Sequence, residues 1–237
     1  MEKTAIVFIH GYMGSSAQFE NIIECLDQSS FTIYRLTLPG HETTLAHFVE
    51  TKPDEWQVFV NRYVAKLRNL HKKILLVGHS LGGILAIQAA IHQSENIVGV
   101  VAIALPLYVK VTYRTLEIRL RAIGRPSPNE PPEVRVSRKL SGVSDVQILN
   151  SIRLLPNTIE LLRIFRETRK VLSQLSVKLL IVQSANDELV SARSARFVLQ
   201  ALPDTQSLVL QSATHFMYPS EEALLIARTI RDFAVSQ

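Results

Sequence analysis

The stretch from Lys73 to Gln93, KILLVGHSLGGILAIQAAIHQ, limits what this chain can fold into more than any other. Ile74-Leu75-Leu76-Val77 is a short branched apolar run, which suits a parallel strand buried on both faces. Gly78-His79-Ser80-Leu81-Gly82 follows, and a long apolar-periodic run after it reads as a helix. Strand, G-x-S-x-G and helix in that order predict a turn sharp enough to hold a serine hydroxyl above the sheet. The requirement is steric. Ser80 must accept a strained backbone with positive φ, while glycines at 78 and 82 let strand and helix pass close on either side. The Leu81 amide, at the helix N-terminus, then points toward the place where an oxyanion would develop.

Around this unit the periodicity alternates between strand and helix. Strands are predicted at Ile6–Ile9, Phe31–Leu36, Ile97–Ala104, Lys178–Gln183 and Ser207–Leu210. Helices are predicted at Phe19–Leu26, Pro53–Leu70, Ser191–Leu202 and Pro219–Phe233, the second started by Pro53 with Asp54-Glu55 in its first turn. Trp56 on that helix is read as core. Parallel crossovers need covering helices, so the expectation is an α/β fold. It would have a mostly parallel sheet of about six strands, with helices on both faces.

From Leu105 to Lys170 the rhythm breaks. Pro126, Pro128, Pro131 and Pro132, four prolines in seven residues, exclude a helix interior or a central strand. That stretch is expected to be an exposed connection, a candidate for disorder, between two parts of an inserted helical cap. The predicted organisation is a core of residues 1–104 and 171–237 with a cap of residues 105–170.

The composition, 47% hydrophobic and 20% charged over 237 residues, is that of a globular domain. A strand follows Met1 almost at once, so no signal peptide is expected. The longest apolar run, 97–109, is broken by Gly99 and Pro106 and is too short to span a bilayer. Cys25 is the only cysteine, which rules out an intrachain disulfide and suits a reducing compartment. A cytoplasmic protein without integral membrane association is therefore expected. The net charge of +5 is uneven: 105–170 holds thirteen Lys/Arg against six Asp/Glu. This basic segment lacks the interleaved aromatics of a nucleic-acid reader, so no nucleic-acid partner is expected. No metal-ligand spacing and no dinucleotide or phosphate-loop fingerprint is present, and neither metal nor cofactor is expected.

Ligands of open parallel sheets bind at the carboxyl ends of the strands. Ser80, Asp187 and His215 all fall there, in that chain order. A serine hydroxyl needs a base to become a nucleophile, and an imidazole base needs a carboxylate to fix its tautomer. His10, His41, His47, His71, His79 and His92 compete with His215. His71 and His92 lie at the wrong end of the sheet, and His79 is expected to point away from the serine. His10 is expected to brace the glycine loop Gly11–Gly14, and His41 is the best rival. Asp187 is preferred to Glu188, expected to turn to another side, and to Asp204, read as a turn residue before the last strand.

His10-Gly11-Tyr12-Met13-Gly14, Gly78-His79-Ser80-Leu81-Gly82, Asp187 and His215 together resemble the α/β-hydrolase superfamily. Pro53-Asp54-Glu55-Trp56, Pro106-Leu107-Tyr108-Val109-Lys110 and Val182-Gln183-Ser184-Ala185-Asn186-Asp187-Glu188 narrow the resemblance to small bacterial carboxylesterases related to monoacylglycerol lipases. It covers roughly residues 4–110 and 177–233, and the proline-rich cap departs from it. The resemblance implies ester hydrolysis by a Ser80–His215–Asp187 triad, with the amides of Tyr12 and Leu81 as oxyanion hole and a small-molecule ester as partner. A serine carboxylesterase for short- to medium-chain acyl esters is expected. A monoacylglycerol lipase or thioesterase with the same triad is the alternative, and a non-catalytic ligand-binding protein is the reading from another class.

Overall fold

The four inner strands of the main sheet are apolar at nearly every position because both faces of the sheet are covered there. In the computed structural model, which describes residues 3–110 and 112–237, β1 (Thr4–Ile9) sends Ala5, Val7 and Ile9 to one face and Ile6 and Phe8 to the other. The chain continues through α1 (Glu20–Glu24), β2 (Phe31–Leu36), β3 (Thr43–Thr44), α2 (Leu45–Glu50), α3 (Pro53–Arg68), β4 (Ile74–His79), α4 (Leu81–His92) and β5 (Ile97–Ile103). Then come α5 (Tyr113–Ile123), α6 (Pro132–Lys139), β6 (Val143–Ser144) and α7 (Leu155–Val171). The last elements are β7 (Lys178–Ser184), α8 (Arg193–Ala201), β8 (Gln206–Leu210) and α9 (Ser220–Val235).

Among the described residues six strands form one parallel sheet in the order β2-β1-β4-β5-β7-β8. The order reverses between β1 and β4, which puts the turn after β4 at the centre of the sheet's carboxyl edge. Trp56, Val60 and Val64 of α3, Ile84 and Ile87 of α4, Leu161 and Phe165 of α7 and Val198 of α8 cover one face. Ile22 and Ile23 of α1 and Ile226, Ile230 and Phe233 of α9 cover the other. Each such side chain contributes about 1.5–3 kcal/mol by leaving water.

The 105–170 segment is fastened over the carboxyl edge at several points. β3 and β6 pair Thr43 with Val143 and Thr44 with Ser144, and isolated bridges join Gly14 to Ser141 and Val109 to Val190. Asn157 Nδ2 donates to the carbonyls of Phe48 and Thr51, and Gln88 Nε2 to Thr168 Oγ1 at 2.7 Å. The proline-rich stretch, a candidate for disorder by composition, is exposed at 125–129 but then clipped down at Glu130. The Glu130 carboxylate is buried and accepts from Arg138, which also donates to the carbonyls of Arg121, Ala122 and Gly124 at 2.6–2.8 Å. One guanidinium thus satisfies the end of α5 and the loop after it, which proline counting cannot reveal.

Candidate active site

Ser80 joins β4 to α4 with φ 52° and ψ −119°, a left-handed backbone costing a side chain on the order of 1–3 kcal/mol. The two glycines make the turn feasible. A Cβ on Gly78 would enter the backbone of Gly82 and Gly83, and one on Gly82 would enter the Ile9 carbonyl and lie 2.7 Å from His10 O. Ser80 N donates to Ile103 O at 2.9 Å and Ser80 O accepts from Gly83 N at 3.0 Å, so the turn is held from both sides. Among the described residues the Ser80 hydroxyl makes no hydrogen bond.

Asp187 and His215 meet at the ends of the two neighbouring strands. Asp187 Oδ2 accepts from His215 Nδ1 at 3.0 Å, and both residues are 1% exposed. Asp187 Oδ1 accepts from the amides of Leu189 (2.8 Å) and Val190 (2.7 Å). Burial by itself would raise the Asp187 carboxyl, but the imidazole and the amide bonds outweigh it and hold the group below the usual aspartate value. A carboxylate can only accept, so Nδ1 carries the proton, and in the neutral ring Nε2 of His215 keeps its lone pair.

The loop carrying His215 is itself clamped. Glu222, in the first turn of α9, accepts from the consecutive amides of Gln211, Ser212 and Ala213 at 2.7–2.9 Å. The Ser184 hydroxyl donates to Ala213 O, and Asn186 Nδ2 donates to Gln211 O, tying this loop to the one that carries Asp187. Glu188 is a correction to the expectation that it turns elsewhere. It is buried, and its Oε2 accepts from the His215 amide at 3.0 Å. Its carbonyl accepts from Thr115 Oγ1 (2.5 Å) and Thr112 Oγ1 (3.4 Å), so it also anchors the start of α5. Asp204 is exposed in the turn before β8, away from this cluster.

Three other histidines are buried here, and the bonds of His10 and His41 mark those two as neutral. His10 Nδ1 donates to Gly11 O and Nε2 accepts from Leu38 N; His41 Nδ1 donates to Pro39 O and Nε2 accepts from Met13 N. Burial lowers His10 to about 4 and His41 to about 3. His41, the closest rival for the base, is therefore a brace for the loop after β1. His79 does not simply turn away: its Nε2 donates to His215 O at 2.9 Å, and the two rings lie 4.9 Å apart. Burial first, then the charge of His215, lowers it to about 3.

These braces select the free amides. In the loop after β1, Gly11 N donates to Gln18 Oε1, Met13 N to His41 Nε2 and Gly14 N to Gly11 O. Between them, Tyr12 N has no acceptor among the described residues, and neither does Leu81 N at the start of α4. Gly11 brings this loop against the serine, since a Cβ there would lie 3.2 Å from Ser80 Cβ. A cavity of about 680 Å³ opens beside it, lined by Tyr12, Met13, Arg119, Leu140, Val146, Leu154 and Phe216 among others. Among the described residues there is no group of three or more His, Cys, Asp or Glu placed to hold a metal ion. None of their helices is long and apolar enough to cross a membrane.

Known proteins share this fold. The model described as "Alpha/beta hydrolase family" matches residues 6–228. A thermostable monoacylglycerol lipase of Bacillus sp. (strain H-257) is 20% identical, over 97% of this chain and 90% of its own. A pimeloyl-[acyl-carrier protein] methyl ester esterase of Vibrio atlanticus is 23% identical, over 91% and 89%. The crystal structure of Paleococcus ferrophilus monoacylglycerol lipase superposes with a TM-score of 0.71 at 21% identity, covering 99% of this chain and 96% of that one.

Proposed function

The chain belongs to the alpha/beta hydrolase family, and from that premise we propose that it is a serine carboxylesterase acting on short- to medium-chain acyl esters. The observation that supports the reading is the buried Asp187–His215 hydrogen bond, together with a serine held at positive φ next in the chain to His79, whose Nε2 donates to His215 O. In this mechanism His215 Nε2 takes the proton of Ser80 Oγ as that oxygen attacks the ester carbonyl. The amides of Tyr12 and Leu81 donate to the oxyanion, a contribution that typically reaches 10²–10³ in rate per donor. The His215 imidazolium then protonates the departing alkoxide, and water, deprotonated by the same imidazole, releases the acid from Ser80. The Ser80 hydroxyl need not touch His215 without substrate, because catalytic hydrogen bonds often tighten only in the complex.

Similarity to the Bacillus lipase supports monoacylglycerols as a second substrate reading, with identical chemistry. The segment 105–170 acts as the cap in both, since it roofs the cavity beside Tyr12. The test is a series of p-nitrophenyl esters and short monoacylglycerols, together with a fluorophosphonate probe. The parent should be labelled on Ser80, and Ser80→Ala should lose label and on the order of 10⁶ of turnover. Labelling at another serine, or a Ser80→Ala protein that keeps most of its rate, would remove the triad.

A further inference from the structure

α5 is amphipathic in the wrong sense for a helix that merely covers a core. Its large apolar residues Tyr113 (83% exposed), Leu116 and Leu120 face outward. Thr115, Ile118 and Arg119, spaced i, i+3, i+4 on one face, turn inward. The helix cannot rotate to correct this, because Thr112 and Thr115 donate to the Glu188 carbonyl. Arg119 is thereby driven into the cavity beside Tyr12, with its Cζ 5.5 Å from the centre of the Phe216 ring. Phe216 in turn packs edge-on against His215, ring centres 4.6 Å apart.

Arg119 has no hydrogen bond and no ion pair among the described residues. Its neighbours on the cap differ: Arg114 pairs with Glu133, Arg121 with Glu117, and Arg138 with Glu130. Burial lowers its pKa from the ordinary arginine value, countered in part by Tyr12 and Glu188. Glu188 lies beyond ion-pair distance, with its carboxylate turned to the His215 amide. Glu42, on the cavity wall, is taken by Ser16 and Thr37. A half-buried guanidinium with five unspent donors is costly to keep unless something arrives to use them. For neutral acyl chains it would be a liability.

The geometry points to Arg119 as the binding group for an anionic substituent, carboxylate or phosphate, on the ester that this site cleaves. A planar fork held on an aromatic face one residue from His215 suits bidentate binding of such a group. This rests on the esterase reading above, and the test separates the two. Two matched pairs are compared by kcat/KM: monomethyl glutarate against methyl pentanoate, and 1-butyryl-glycerol 3-phosphate against 1-butyrylglycerol. The first places a carboxylate on the acyl side and the second a phosphate on the alcohol side. The anionic member of one pair should be preferred, and Arg119→Met should lower that anionic-to-neutral ratio by about 10–100-fold. Arg119→Lys, which keeps charge but not the fork, should lower it less. Fluorophosphonate labelling of Ser80 in the variants reports an assembled site. Equal rates within both pairs, or a preference that survives Arg119→Met, would overturn the anion site while leaving the esterase intact. No cleavage and no labelling of the parent would overturn both.

Discussion

At the scale of single residues, the acid loop holds two carboxylates that act on different atoms of one histidine. Asp187 takes Nδ1–H and Glu188 takes the backbone amide. Asp187→Asn should reverse the tautomer preference and reduce turnover by about 10³–10⁴-fold, as such changes do in serine proteases. Glu188 depends on accepting a hydrogen bond, so Glu188→Gln should keep most of the rate. Glu188→Ala strands a buried amide, a penalty of about 1–3 kcal/mol, and should lower kcat about tenfold or more with little change in KM. Equal kcat for the Gln and Ala variants would deny Glu188 a positioning role. The pairing of Asp187 with His215 and the strained turn at Ser80 were legible, because the residue types that a triad would need have few substitutes and a known chain order. Glu188 and Arg119 were not, because any surface carboxylate or guanidinium has the same one-dimensional signature.

At the scale of elements, the turn after β4 depends on two backbones touching. Ile9, whose carbonyl a Cβ on Gly82 would strike, is locked in register with Leu36 and Gly78 and cannot retreat. Gly82→Ala should therefore cost at least the ~1–3 kcal/mol of an overpacked core, read as a lower urea midpoint. Gly124→Ala, whose Cβ would meet only ordinary contacts at 3.4 and 3.5 Å, is the silent control. The six sheet strands were readable from branched apolar runs, within a residue or two at each end. β3 and β6, two residues each, carry no periodicity and exist only because residues 143–144 lie against the chain just before α2.

Across the whole molecule, three neutral imidazoles make stability depend on pH. The unfolded chain takes protons on His10, His41 and His79 below about pH 6.5, whereas the folded chain resists until about 4, 3 and 3 respectively. Stability is then full above about pH 6.5 and falls as the pH drops toward 3, by on the order of 3–5 kcal/mol per histidine. Urea midpoints at pH 7.5, 6 and 5 should decline steeply, and a flat profile would mean that these rings are not held neutral. The amino-acid sequence by itself determined the parallel sheet, the covered faces and the strained serine turn, because these follow from local periodicity and from glycines at fixed spacing. Only the tertiary structure decided that His41 and His79 are held in hydrogen bonds, that Glu188 takes the His215 amide and which arginine enters the cavity. Those outcomes depend on who is buried beside whom, and burial sets both protonation and hydrogen-bond partners through contacts as distant in the chain as Arg119 and Phe216.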